Sequence, residues 1–212
     1  MGLALEGGML FLLACGWTET ALFGGGDVVV RVATDTGTLE VVVPAAELPE
    51  EPGSWDSGME PESCVDDAAQ VRSWRRHRGF FQRLSGDWYD RLEVSVQGAK
   101  QVDAETCVAF DADVTTRPPL EPNYAYLSVT MRRGETTWDW RGVASQGDTA
   151  WDTGGFASSE IELEGAGMAG SVALDVSGHR WEGDWGTEHA GRATVSWSMS
   201  QERVHRNRWT AW

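Results

Sequence analysis

Apolar residues return at every second position in one stretch of the chain after another, and that rhythm leaves few alternatives to a β-rich fold. Leu92, Val94 and Val96 alternate with charged or polar neighbours, as do Val108, Phe110, Ala112 and Val114, and then Leu127, Val129 and Met131. Each is the pattern of a strand with one face in a core and the other in water. Trp138 with Trp140, Ile161 with Leu163, Val172 with Leu174 and Val176, and Ala193 with Val195, Trp197 and Met199 continue it. DVVVRVAT and TLEVVVP are rich in β-branched residues, and the polar DTG between them reads as a hairpin turn. The total of about nine strands predicts an all-β domain, either an antiparallel β-sandwich or an up-and-down barrel. One short helix is expected at about 67–84, where Val71, Trp74, Phe81 and Leu84 are spaced for one face and Asp66 or Asp67 stands as cap.

At 212 residues the chain suits a single large β domain, expected over 27–212. Within it, residues 44–67 carry prolines and many carboxylates but no Lys or Arg, the composition of a long loop. The net charge of −16, from 33 Asp and Glu against 17 Lys and Arg, repels phosphate backbones and argues against a nucleic-acid partner.

The first residues bear on location. Met9 to Ala14 form an apolar run far shorter than the roughly 20 residues a membrane helix needs, which favours a removed signal. The stretch LLACG, with Leu12, Ala14 and Cys15, resembles the lipobox of bacterial lipoproteins. That resemblance covers about the first 15 residues. It implies a signal peptide over 1–14, acylation of Cys15, a tether at 15–26, and a membrane partner reached through the lipid. The non-acidic Gly16 after the anchor implies delivery to the outer membrane of a cell envelope, facing periplasm or exterior. One departure from the pattern is the leading MGLALEGG, which holds Glu6 and no basic residue.

With Cys15 lipidated, Cys64 and Cys107 would be left as a pair, and an oxidising envelope favours a disulfide between them. The alternation places Cys107 on the outward side of its strand, opposite Val108 and Phe110, so such a bond would staple the acidic loop onto the outside of the sheet. Three free thiols are the alternative.

Several constellations suggest chemistry. Two DTG triplets, at Asp35 and Asp152, match in composition the paired aspartates of aspartic proteases, but Asp35 falls at a hairpin tip, where turn chemistry alone accounts for it. His179, Glu182, Asp184, Glu188 and His189 lie within eleven residues and include metal-binding types, yet in a strand His179 and Glu182 would face opposite ways. Asp111 and Asp113 share a face and read as Ca²⁺ ligands or simply solvated carboxylates. No nucleophile elbow, phosphate loop or dinucleotide fingerprint is present, so no cofactor is expected.

Twelve tryptophans are the most unusual feature of the composition. Indoles facing inward would fill a core, while others facing outward or lining a cavity would stack on a glycan or enclose a small apolar ligand. Trp138, Trp140, Trp181, Trp185 and Trp197 are the candidates. WEGDW together with Trp197 resembles the last strands of avidin-type biotin barrels over some 20 residues, too short a stretch to imply a biotin site. The expectation is a non-catalytic envelope lipoprotein that binds a glycan, a small apolar ligand or an envelope protein; the alternative is a hydrolase using the DTG aspartates or the His/Asp/Glu cluster.

Overall fold

A computed structural model describes residues 15–49, 64, 67–77, 91–117, 121–146, 158–182 and 185–210. Twelve strands account for nearly all of them: β1 (Cys15–Gly24), β2 (Asp27–Thr34), β3 (Gly37–Pro44), β4 (Ala69–His77), β5 (Arg91–Gln101), β6 (Thr106–Arg117), β7 (Glu121–Arg133), β8 (Thr136–Ser145), β9 (Glu160–Glu164), β10 (Ala169–Glu182), β11 (Trp185–Ser198) and β12 (Gln201–Thr210). Their spatial order is β12-β1-β4-β5-β6-β7-β8-β10-β11-β2-β3, every ladder antiparallel, with β9 added beside the first half of β10. The sheet is so strongly curled that it forms a half-barrel. A parallel bridge from Ala45 to Ala69, with the Ala46 N–H donating to the Ala69 carbonyl at 2.7 Å, stitches the tail of β3 to the start of β4.

The core lies inside the curl. Val28, Val30, Val32, Val94, Val96, Val108, Val114, Leu127 and Val129 are all buried, and their alternating neighbours point outward. The nine strands read from alternation are therefore present. Three more, β1, β4 and β12, sit next to one another at one end of the sheet.

Two expectations are corrected. Residues 69–77 form a strand where a helix was expected. In β4 the inward positions are Ala69, Val71 and Ser73, so the alternation is broken by a buried serine while Val71 and Trp74 imitate helical spacing. Residues 78–84 lie outside the described residues. The tether expected at 15–26 is mostly strand, because β1 is paired on both sides, with β4 and with β12. Its run Ala21-Leu22-Phe23 hides the period of two, although Ala21 and Phe23 are buried and Leu22 is not.

The single helical element described is the 3-10 turn Gly165–Gly167. It reaches from β9 across to the opposite wall, since a Cβ on Gly167 would meet Val94 and Ser73. The Trp197 indole N–H holds it by donating to the Gly167 carbonyl at 2.9 Å. Cys64 and Cys107 lie at disulfide distance, with Cα atoms 6.0 Å apart and 43 residues between them in sequence.

Candidate functional site

The tight turns between β2 and β3, β7 and β8, and β10 and β11 gather at one end of the curl, because each joins strands that run toward that end. Asp35 and Thr36 make the first, and Asp35 is exposed at its tip, as turn chemistry requires. Gly134 in the left-handed region (φ +59°) makes the second, within RRGET. Asp152, the second DTG aspartate, lies outside the described residues.

Between these turns the inner wall opens into a cleft of about 430 Å³. Trp138 and Trp140, two apart on β8, both face it, with Leu39 and Met131 as apolar walls. Trp140 is only 5% exposed and forms the floor, whereas Trp138 is half-buried and available. The Arg180 guanidinium sits over the Trp138 ring, 5.4 Å from its centroid, and is ion-paired to Glu182. His189 lines the same cleft from β11. The site thus offers an indole face, apolar walls and, at the rim, the Arg180 guanidinium beside the His189 imidazole.

The proposed metal ligands are divided by the pleat. His179 and Glu188 are register partners on the outer face, while His189 lines the inner cleft. Asp184 lies outside the described residues. Among the described residues no group of three His, Cys, Asp or Glu side chains is placed to hold a metal ion.

The tryptophans separate into two kinds. Trp140 and Trp197 are core residues, 5% and 4% exposed. Trp181 is 43% exposed on the outer face and stacks on His179, with ring centroids 5.5 Å apart. The Trp185 side chain lies outside the described residues, as does that of Cys15 at the start of β1.

A second concavity, of about 370 Å³, crosses the outer face of β6, β7, β8 and β10, and sequence reasoning missed it. The register stacks its lining in rows: Asp111 with Ser128 and Arg141, Ala109 with Thr130 and Asp139, and Cys107 with Arg132, Thr137 and Trp181. Small residues make its floor. The signal was in the sequence as a run of outward positions held by Ser128, Thr130 and Thr137, but only the register shows that they are neighbours of Asp111 and Trp181. Burial, and then the Asp113 carboxylate, push Asp111 up to about 6 against the pull of Arg72. Burial, with Asp113 adding to it, likewise raises Tyr124.

Among the described residues no helix is long and apolar enough to cross a membrane, which says nothing of strands. In comparisons with family models, with curated proteins and with solved structures, nothing matches the chain significantly.

Proposed function

We propose that the protein is a non-catalytic, lipid-anchored envelope protein that binds a small amphipathic anion in the cleft between its turns. The observation that carries the reading is Trp138, left half-open above the buried Trp140 with Arg180 over its ring. An apolar ligand body would pack on the indole, Leu39 and Met131, and an acidic head would meet Arg180 and His189 at the rim. The volume of about 430 Å³ falls in the range of small-molecule sites.

The proposed anchor is compatible with an accessible cleft. β1 starts on the side where β4 ends, because the two are antiparallel, and β4 ends where β5 starts, away from the β5–β6, β7–β8 and β10–β11 turns. Acylation at Cys15 would then turn the cleft away from the lipid surface, toward periplasm or exterior.

Two measurements test the reading. Titration with dodecanoate should quench tryptophan fluorescence saturably, and Trp138→Ala or Arg180→Gln should weaken binding about tenfold or more. Quenching that is unchanged in both variants would remove the cleft as the site. Intact mass of protein from its native host tests the anchor: loss of residues 1–14 with added acyl mass supports it, and an unprocessed chain refutes it.

A further inference from the structure

The outer groove differs from the cleft in chemistry as well as in face. Its four strands are all interior to the sheet, so their backbone groups are already committed to ladders and cannot accept an added peptide strand. Its floor carries the hydroxyls of Ser128, Thr130 and Thr137, Tyr126 lines it on β7, and the Trp181 indole stands at the side.

That indole rests on the neighbouring strand. Trp181 on β10 is the register partner of Gly186 on β11, and a Cβ on Gly186 would lie 2.9 Å from the ring. The ring therefore lies against bare backbone, with His179 stacked beside it, while 43% of the residue stays open to solvent. Across the groove, Asp139 is ion-paired to Arg141 at 2.9 Å and accepts from the Thr130 hydroxyl at 3.4 Å. Asp111 is half-buried and makes no side-chain hydrogen bond among the described residues. Its carboxylate oxygens can accept from the hydroxyl groups of a ligand in the groove.

We infer that the outer face of β6, β7, β8 and β10 binds a glycan, with Trp181 stacking on the apolar face of a β-linked pyranose and Asp111, Asp139 and Arg141 hydrogen-bonding its hydroxyls. An all-equatorial pyranose presents a flat C–H face to an indole and directs its hydroxyls sideways, toward those groups. The groove spans three inter-strand steps, about 14 Å, which accommodates an oligosaccharide better than a single ring. A nucleic acid would meet two carboxylates in the groove and the overall charge of −16.

Calorimetric titration of the full chain with cellohexaose and with N-acetylchitohexaose tests this. The expected result is binding of at least one, weakened about tenfold or more by Trp181→Ala, largely retained by Trp181→Tyr, and unaffected by Trp138→Ala in the cleft. Thermal melting of each variant establishes that it is folded. No binding of either hexasaccharide at millimolar concentration overturns the inference, as does binding that Trp181→Ala leaves unchanged or that Trp138→Ala abolishes. Because the cleft is probed with dodecanoate and Trp138, either site can fail without the other.

Discussion

Asp111 shows how a single outward residue carries a cost that the surrounding sheet imposes. Its carboxyl is pushed from 3.8 up to about 6, chiefly by burial, so between those values the folded protein holds a proton that the unfolded chain has released. Stability contributed by that proton is lost as pH rises from about 4 to about 6, and the deficit persists above. Asp111→Asn removes the deficit. The variant should be more stable than the parent at about pH 7.5, by roughly 1 kcal/mol once solvent screening is allowed for, and the two should converge below about pH 4. Thermal melts at the two pH values decide it, and a variant less stable than the parent at the higher pH would refute the account. The raised value was not legible in the sequence, because it depends on Asp113, Arg72 and the neighbouring strands closing around one carboxyl.

The strands explain how a chain so rich in tryptophan packs. Around β10 three indoles meet a glycine across the ladder, Trp140 facing Gly178, Trp197 facing Gly170 and Trp181 facing Gly186, while Trp138 faces Arg180. A Cβ at Gly178 would meet the Asp139 carbonyl oxygen and lie 2.7 Å from the Trp140 ring, and one at Gly170 would lie 2.6 Å from the Glu162 carbonyl oxygen and 2.7 Å from the Trp197 ring, so each glycine lets ring and backbone approach together. Gly98 and Phe110 repeat the arrangement between β5 and β6. Gly178→Ala should therefore overpack the interior and cost about 1–3 kcal/mol, read as a lowered denaturant midpoint. Gly186→Ala should cost less than about 1 kcal/mol, because the exposed Trp181 ring can swing away. Equal effects at the two positions would mean that neither the buried ring nor the Asp139 carbonyl confines the site at Gly178. The strands that alternation missed have a shared reason. β12, β1 and β4 stand together at one end of the sheet, where the core thins along the strands, and their inward positions include Ser73, Arg75, Glu19 and Arg206, the last two ion-paired at 2.7 Å. Only one end of β1 and β4 reaches the dry interior, through Ala21, Phe23, Ala69 and Val71, and beyond it nothing requires an apolar residue at every second position.

For the molecule as a whole, the nine strands facing the core and the outward placement of Cys107 were readable from periodicity, since the pleat converts sequence directly into faces. The cleft and the groove were not, because each is assembled from strands whose adjacency is set by the order of the sheet. The Cys64–Cys107 staple lies on the outer surface and closes 43 residues of chain. A Cys64→Ser, Cys107→Ser double variant should lose about 2–4 kcal/mol in urea unfolding while its far-ultraviolet spectrum stays that of the parent, because no core contact is removed. An unchanged urea midpoint would show that the bond constrains nothing that unfolding releases. The order of the sheet also sets a timetable for synthesis. β1 lies between β4 and β12, with Cys15 opposite Thr210, and β2 pairs with β3 and with β11. β1 and β2 thus wait for strands made much later, and until residues 185–210 are synthesised one edge of each stays open.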